Sequence, residues 1–540
     1  MSSTAVSTTN GMVKGKVVNL DEKGGIPVHI FRNIPFAKPP LGELRFMPPQ
    51  PAEPWDGIRD GTTRGNLAMY AKEFDQIMMK NWLFMNQNDV VSKHDEDCLH
   101  LSVYTPSTSR GQNLAVMFWI YGGAFSMGSE RFYDGTVLAG MNNVVVVVPN
   151  YRVGIFGFLS LGPSSACPGN AGLLDQQMAL KWIQGNIENF GGDRNNVTIF
   201  GESAGGVSVN IHILSPLSHG LFHKAISHSG QATAKAIVHS EAEHAETNKK
   251  GLSYLKIEQM DADKTLQALQ NTSAEELINA SMQFTGHEAY PFVPTEYGNV
   301  LPKTPEQFME DKDFPKLPYI IGFNNTEGDG LLTAMLCSKY SEGLTEDESR
   351  NAMRVTMTDD GYKKCKEFYI NDSEDKMRFS KLFGKVSADE LFATNAIQTA
   401  SSYSSAGVPV YMYYGTFRLK MFHETRYGPE VPKKVDWCVC DHGDDIFMTF
   451  GMPFSSNPMS FGAKFSEEEK EISCKFMTYL TNFAKTGNPN EGNKVGTKWP
   501  LYGQNKEHLI VDSSFTVGGN FYEKEVEFWM NTMPRYIIKH

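Results

Sequence analysis

A serine between two glycines is the first chemical signal in this sequence. The apolar run 197–200 ends at Gly201-Glu202-Ser203-Ala204-Gly205, and a stretch with helical periodicity follows. A buried strand, a sharp turn and a helix are the setting in which a serine hydroxyl is held above a sheet as a nucleophile. The two glycines fit such a turn because its backbone approaches its neighbours too closely for a side chain. The amide of Ala204 and the start of the helix would face an oxygen that becomes negative near Ser203, so acyl transfer is the predicted chemistry.

Two carboxylates are candidates for the acid of such a site. A nucleophilic serine needs a base, and the base needs an acid that fixes its tautomer and stabilises its charged form. Glu327 follows directly after the apolar run 319–323, where we expect the acid, and Asp329 is a rival two residues further on. A solvated turn carboxylate is the ordinary alternative for both. The sequence favours Glu327.

Fourteen histidines compete for the role of the base. His442 lies in the polar loop 440–445, beyond the acid and after the last predicted strand at 409–414. His223 and His228 precede the acid in the sequence, and we predict structural roles for them. The order serine, acid, histidine therefore selects His442 as the base.

The loop around His442 also allows a metal interpretation. Cys438, Cys440 and His442 would share one face of an extended segment. No second group of ligands with zinc spacing accompanies them, and buried cysteines usually pack as small apolar side chains. We therefore predict no metal and no cofactor.

Alternating strands and helices must position these residues. Two runs that are apolar on both faces, 114–121 and 144–149, are typical of central parallel strands. The first ends at Gly122-Gly123-Ala124, whose exposed amides suit an oxyanion. The remaining predicted elements are a hairpin at 12–32, strands at 98–104, 224–227, 319–323 and 409–414, and a helix at 175–189. This pattern predicts an α/β fold with a large, mostly parallel central sheet flanked by helices and a small N-terminal hairpin.

We expect residues 1–540 to form one domain. The stretches at about 240–290 and 330–400 are predicted to be helical insertions that cover the active site at the carboxyl ends of the strands.

Composition and charge exclude several classes of protein. The chain has 540 residues and a net charge of −12, so nucleic acid or an anionic membrane surface would be repelled. The N-terminus resembles no signal peptide, and no apolar run is long enough for a transmembrane segment. Seven cysteines scattered through the chain do not form the pattern of a disulfide framework, which favours a cytoplasmic protein. No feature of the sequence predicts an oligomeric state.

Ordered motifs along the chain resemble those of the type-B carboxylesterase and cholinesterase family, which includes bile-salt-activated lipase. The matching segments, all between about residues 33 and 502, are Ile34-Pro35-Phe36-Ala37, Leu44-Arg45-Phe46, Glu96-Asp97-Cys98-Leu99, residues 119–125, Tyr151-Arg152-Val153-Gly154, residues 169–176, residues 200–206, Glu327-Gly328, Asp441-His442 and residues 482–487. The resemblance implies the α/β-hydrolase fold, with Ser203 as nucleophile, His442 as general base and then acid, and Glu327 as the orienting acid.

The resemblance also implies roles for other positions. The backbone amides of Gly123, Ala124 and Ala204 match the family's oxyanion hole. Buried ion pairs are implied for Arg45 with Glu96 and for Arg152 with Asp175. Glu202 is implied to line the site and to favour the imidazolium form of the base.

Departures from the family pattern concern the cysteines. Secreted members usually pair the cysteine of Glu-Asp-Cys-Leu with an upstream cysteine, yet none precedes Cys98 here. A second family bridge also lacks its cysteines, since none lies between Gly169 and Leu336. Both departures favour free thiols.

The leading functional prediction is a serine esterase that hydrolyses a small hydrophobic carboxylic ester. Phe125, Tyr290 and Phe292 are candidate pocket walls, although such aromatic residues are as often part of a core. A lipase acting on acylglycerols or sterol esters is the alternative within the enzyme class. A catalytically silent adhesion or scaffold relative is the alternative outside it, but such relatives have lost catalytic residues that this chain keeps.

Overall fold

The computed structural model describes residues 3–20, 25–75, 93–234, 237–284, 291–330, 337, 339–354, 356–371, 374–425, 433–455 and 465–538. Within these residues one sheet of thirteen strands runs through the chain. The strands are β1 (Ser3–Ser7), β2 (Met12–Leu20), β3 (Ile26–Pro35), β4 (Ile58–Asp60), β5 (His100–Thr105), β6 (Leu114–Ile120), β7 (Val145–Pro149), β8 (Gly192–Glu202), β9 (Lys224–His228), β10 (Tyr319–Asn324), β11 (Val410–Gly415), β12 (His508–Val511) and β13 (Thr516–Gly518).

The centre of this sheet is parallel and its ends are antiparallel. The spatial order is β1-β2-β3-β5-β7-β6-β8-β9-β10-β11-β12-β13, and β4 pairs with β2. All neighbours from β7 to β12 are parallel. β6 and β7 are fully buried, as strands covered by helices on both faces must be. The predicted α/β fold with a mostly parallel sheet is therefore confirmed, and β2 and β3 form the predicted N-terminal hairpin.

Helices occupy the connections between the strands. They are α1 (Thr136–Asn142), α2 (Gly154–Phe158), α3 (Ala171–Asn186), α4 (Ala204–Leu214), α5 (Glu241–Tyr254), α6 (Ala262–Asn271), α7 (Ala274–Ser281), α8 (Pro305–Asp311), α9 (Glu346–Met353), α10 (Asp359–Tyr369), α11 (Arg378–Ala388), α12 (Thr394–Ser405), α13 (Asp444–Thr449), α14 (Glu467–Thr486) and α15 (Glu523–Glu527). In the described part of the chain, none of them is both long and apolar enough to cross a bilayer.

Two expectations about individual elements are wrong. The helix predicted at 175–189 begins four residues earlier, as α3, and its last residues form a separate 3-10 turn at Ile187–Phe190. The strand at 409–414 is not the last, because β12 and β13 follow His442 in the sequence. Both later strands are short, and β13 is an exposed edge strand, so neither leaves a clear apolar pattern.

Two hydrophobic clusters stabilise the molecule. The main core surrounds the sheet and extends from the hairpin to β12. A satellite cluster joins α9, α10 and α11 to the C-terminal segment that follows β13. Its aromatic and sulfur-containing members include Tyr362, Cys365, Phe379, Phe528 and Trp529. Because helices remote from the sheet share this cluster with the C-terminal segment, the two regions stabilise each other.

Candidate active site

Ser203 lies on the turn between β8 and α4. Its backbone has φ 58° and ψ −126°, a strained conformation for a residue with a side chain. A Cβ atom at Gly205 would collide with the carbonyl oxygen of Ile120, and one at Gly201 would lie 2.6 Å from the Gly205 carbonyl group. The two glycines are therefore required for the close approach that the sequence predicts at this turn.

Backbone amides converge beside this turn from two elements. Gly123 and Ala124 follow β6 with φ 114° and 53°, so the chain there turns away from the extended conformation of the strand. Ala204 is the first residue of α4. None of these three amides donates a hydrogen bond to another described residue. Unpaired amides at a helix start and at a strand end are suited to bind an anionic oxygen.

Glu327 and His442 are brought together by the loops after β10 and β11. Glu327 Oε2 lies 2.7 Å from His442 Nδ1. The other oxygen, Oε1, accepts hydrogen bonds of 2.5 Å from the backbone N–H of Asn324 and from the hydroxyl of Ser229. Both side chains are buried, at 0% and 5% exposure. The carboxylate is therefore fixed by three contacts and orients the imidazole through Nδ1.

The rival residues have other partners. Asp329 Oδ1 accepts a 2.5 Å hydrogen bond from the hydroxyl of Tyr340. His228 Nδ1 lies 2.7 Å from the Tyr413 hydroxyl, and His223 Nδ1 accepts a hydrogen bond from a backbone amide of β8. The structure therefore joins His442 directly to Glu327 and gives Asp329, His223 and His228 other direct partners.

The second imidazole nitrogen of His442 faces Glu202 and the turn at Ser203. Nε2 lies 3.1 Å from Glu202 Oε1, but the carboxylate oxygens of Glu202 accept no hydrogen bond from the described residues. A Cβ atom at Gly122 would lie 3.0 Å from Glu202 Oε2 and 2.8 Å from Ser203 Cβ. These short distances place Ser203 and Glu202 against Gly122, with His442 Nε2 on the carboxylate of Glu202.

Burial and charge shift the pKa values of this group. Burial alone would lower the pKa of His442, but the carboxylates of Glu202 and Glu327 raise it to about 9. Burial raises the pKa of Glu202 to about 8; the neighbouring His442 opposes that rise, and nearby acidic side chains add to it. Burial also raises the pKa of Glu327, although its hydrogen bonds oppose the rise. Burial and the neighbouring charges therefore raise the pKa values of all three groups, as is common where ionisable side chains cluster in an active site.

The predicted pocket residues are only partly within the described chain. Phe125 is completely buried, and its ring lies 5.0 Å from that of Phe158. Phe292 lines an apolar cavity between α2 and helices α5 to α7, close to Phe284. Tyr290 lies outside the described residues. A substrate contact for each of these three residues stays a prediction.

All seven cysteines are free in the structure. Cys98 is fully buried, and burial raises the pKa of its thiol far above the ordinary value. Cys438 and Cys440 are buried as well, and the described residues contain no group of three His, Cys, Asp or Glu side chains arranged to hold a metal ion. The free thiols agree with the missing partners of Cys98, whereas the cellular location stays a prediction.

Both ion pairs implied by the resemblance are formed. Arg45 binds Glu96 through two hydrogen bonds of 2.7 and 2.5 Å. Arg152 binds Asp175 through hydrogen bonds of 2.8 and 2.7 Å, and this second pair is fully buried. Because bidentate pairs fix geometry, they hold the loops after β3 and β7 in place.

Sequence reasoning missed two residues that contact the acid and the base. Ser229, which donates to Glu327, follows directly after β9 and has φ 48°. A polar residue after a predicted strand was the signal that selected Glu327, and it could have selected Ser229 too. The ring of Phe392 lies 4.5 Å from the imidazole of His442. No sequence pattern connects these two positions.

Comparisons with known proteins agree with this arrangement. The sequence model described as the carboxylesterase family matches residues 2–529. Carboxylesterase 1D of Rattus norvegicus is 37% identical over 548 residues, which cover 97% of this chain and 92% of that protein. Liver carboxylesterase of Sus scrofa is 37% identical over 554 residues, which cover 99% of this chain and 94% of that protein. Cocaine esterase of Homo sapiens is 37% identical over 544 residues, which cover 98% of this chain and 92% of that protein. The predicted resemblance is confirmed: this chain belongs to the carboxylesterase family and is a serine hydrolase of carboxylic esters.

Proposed function

We propose that the ester is cleaved through an acyl intermediate on Ser203, with His442 as general base and then acid and Glu327 as the orienting acid. The observation that carries this proposal is the 2.7 Å contact between Glu327 Oε2 and His442 Nδ1, with Nε2 on the opposite edge of the imidazole 3.1 Å from Glu202, the residue before Ser203. This is the arrangement in which a carboxylate, an imidazole and a hydroxyl act as one catalytic unit.

The proposed reaction has two halves. The Ser203 hydroxyl attacks the ester carbonyl carbon while His442 Nε2 accepts its proton, and the carbonyl oxygen becomes an oxyanion. The amides of Gly123, Ala124 and Ala204 donate hydrogen bonds to that oxyanion. His442 then donates its proton to the departing alcohol, which leaves an acyl-serine. Water, activated by the same imidazole, releases the carboxylic acid and restores the hydroxyl.

Hydrophobic esters are the proposed substrate class. Support comes from two aromatic residues: the ring of Phe392 lies 4.5 Å from the imidazole of His442, and Phe125, directly after Gly123 and Ala124, is completely buried. A series of p-nitrophenyl esters with increasing acyl length tests this class. We expect kcat/KM to rise from acetate to butyrate, since each buried methylene contributes about 0.8 kcal/mol. A fall along that series would contradict the proposed pocket.

Labelling with an organophosphate tests the nucleophile. We expect one phosphoryl group per chain, found by mass spectrometry on the peptide that contains Ser203, and a parallel loss of ester hydrolysis. Prior treatment with a slowly released acyl substrate should protect that peptide. Labelling of another serine, or loss of activity without any label on Ser203, would overturn the proposal.

Glu202 is proposed to stabilise the imidazolium that forms when Ser203 gives up its proton. Glu202→Gln removes the negative charge nearest to Nε2, so the pKa of His442 should fall. The neutral imidazole would then persist at lower pH, and the acid limb of kcat/KM should move to lower pH by about one unit. In the wild type that limb belongs to the coupled group of His442, Glu202 and Glu327, whereas in the variant Glu202 no longer titrates and Glu327 remains in contact with His442.

A pH–rate profile of both proteins measures this shift. Glu188→Gln is the matched control, because Glu188 is a half-exposed surface carboxylate paired with Arg110. The control should keep the wild-type profile. An acid limb of Glu202→Gln that stays in place or moves to higher pH would contradict the proposed role of Glu202.

A further inference from the structure

An aromatic ring that belongs to neither the triad nor the oxyanion site lies against the base. The ring centroid of Phe392 is 4.5 Å from that of His442, and the two planes are inclined by 31°. Phe392 is 4% exposed and His442 5%, so the two rings meet away from the protein surface. A cation within about 6 Å of an aromatic face is attracted to it. The ring therefore interacts more strongly with the charged imidazole than with the neutral one.

A π-helical turn gives Phe392 this orientation. The turn Asp389–Ala393 separates α11 from α12 in an otherwise continuous helical run. A π-turn inserts one extra residue, and each residue rotates a helix by about 100°. In a regular α-helix, Phe392 would consequently be rotated away from its present direction. Such turns are rare and often accompany functional sites.

Local side chains stabilise the π-turn. The hydroxyl of Thr394 donates a 2.6 Å hydrogen bond to the carbonyl oxygen of Asp389, and the side-chain amide of Asn395 donates one of 2.7 Å to that of Glu390. The carbonyl oxygen of Asp389 also accepts a hydrogen bond from the backbone N–H of Thr394, so the side-chain contacts add to the backbone hydrogen bonding of the turn. The sequence around Phe392 is thus suited to this turn.

A partly buried hydrogen-bond chain connects the turn to the C-terminal segment. The indole N–H of Trp529 donates to the hydroxyl of Tyr369 over 2.7 Å, and that hydroxyl donates to Asp389 Oδ2 over 2.7 Å. Lys385 binds Asp389 Oδ1 at 2.8 Å and donates to the hydroxyl of Tyr522 at 2.9 Å. Asp389 is fully buried, so losing one of these partners would be costly.

The charged groups that face His442 come from two other elements and from its own loop. Glu202 ends β8, Glu327 follows β10, and Asp441 precedes His442 in its own loop. The acidic side chains of the π-turn bind elsewhere: Asp389 binds Tyr369 and Lys385, and Glu390 accepts a hydrogen bond from Thr356. The π-turn accordingly contributes a ring, not a charge, to the surroundings of the base.

We propose that Phe392 is a positioning residue that stabilises the imidazolium form of His442, and that the chain Trp529–Tyr369–Asp389 fixes the π-turn from the C-terminal segment. The inference rests on the proposed function, because it assigns His442 as the base. It predicts that side chains far from the substrate, on α10 and near α15, control proton transfer at the site.

Substitutions at Phe392 test the ring itself. Phe392→Leu and Phe392→Met remove the ring, so the acid limb of kcat/KM should move to lower pH by about half to one and a half units. The limiting kcat at alkaline pH should fall by about three- to thirtyfold. Phe392→Tyr keeps the ring and should keep the wild-type limb. Phe379→Leu is the control, because Phe379 is a buried ring of the satellite cluster.

Tyr369→Phe tests the connection without touching the ring. It removes the hydroxyl between Trp529 and Asp389, and we expect the limb to move in the same direction and kcat to fall about two- to fivefold. Tyr362→Phe, on the same helix, removes a hydroxyl that contacts Ser349 and, at 3.4 Å, the carbonyl oxygen of Glu346. Neither residue belongs to the π-turn, so this variant should keep the wild-type limb. The comparison of Tyr369→Phe with Tyr362→Phe still tests the proposal if Phe392→Leu does not fold.

Organophosphate labelling separates the two possible failures. If Ser203 of the wild type is not labelled, the proposed function fails. If Ser203 is labelled in every variant, but the ring-deleting variants and Tyr369→Phe keep the wild-type limb, only the inference about Phe392 fails. A drop in melting temperature with an unmoved limb would likewise assign Phe392 a purely structural role.

Discussion

Replacing Ser203 by alanine should lower kcat about 10⁴- to 10⁶-fold, because removal of a nucleophile disables the whole catalytic unit. The fold should remain intact for two reasons. The hydroxyl of Ser203 makes no hydrogen bond to another described residue, so alanine leaves no partner unsatisfied. The strained φ of 58° affects alanine and serine alike. Steady-state hydrolysis of a p-nitrophenyl ester and a thermal melt measure the two expectations.

Ser208→Ala is the matched control for this experiment. Ser208 lies one turn further along α4, where its hydroxyl donates a 2.9 Å hydrogen bond to the carbonyl oxygen of Ala204. Such a bond within a helix contributes about 1 kcal/mol to stability and takes no part in the proposed chemistry. Ser208→Ala should therefore melt slightly earlier and keep its activity. If Ser203→Ala retains more than about a tenth of the wild-type kcat, the acyl-serine route is wrong.

The central sheet was predictable because its strands carry an unusual local signal. β6 and β7 are apolar on both faces and bounded by turns, so their positions follow from the sequence to within one residue. The carboxyl end of β8, the strand that leads into the turn at Ser203, is equally clear in the sequence. β12 and β13 were missed because four and three residues are too few to show a period. Their place in the sheet depends on β11, which supplies the neighbouring edge.

The chemistry of the site was only partly predictable, since most of its contacts join distant parts of the chain. Ser203 can be recognised from the sequence because the turn that holds it has no room for side chains at Gly201 and Gly205. The contact between Ser229 and Glu327 spans 98 residues, so the position of Ser229 after a strand marks the residue but not its partner. Phe392 contacts His442 because a π-turn replaces a turn of regular α-helix at Asp389–Ala393. The helix propensities of the residues do not distinguish a π-turn from an α-helical turn. The amides of Gly123 and Ala124 were assigned by resemblance, although the glycines after β6 suggested an oxyanion site.

Glu327→Gln should lower kcat about 10³- to 10⁴-fold. In the wild type, the N–H of Asn324 and the hydroxyl of Ser229 both donate to Glu327 Oε1. In one orientation of the glutamine amide, its NH₂ group takes the place of Oε1, so that a donor faces two donors and these hydrogen bonds are lost. In the other orientation the NH₂ group faces Nδ1 of His442, which places the ring proton on Nε2 and removes the base. Both orientations disturb the site, and the second imposes the wrong tautomer.

Asp329→Asn separates this effect from a general loss of a buried carboxylate. Asp329 is the rival acid and follows the same strand, but it binds Tyr340, and burial raises its pKa to about 7. An asparagine oxygen can still accept the bond from Tyr340, so kcat should stay within a few-fold of wild type and stability should fall by about 1 kcal/mol. Kinetics and thermal melts of both variants measure the contrast. Equal losses of kcat would mean that the two carboxylates act together. A larger loss for Asp329→Asn would transfer the role of acid to Asp329, because only the acid that holds Nδ1 controls the tautomer of His442.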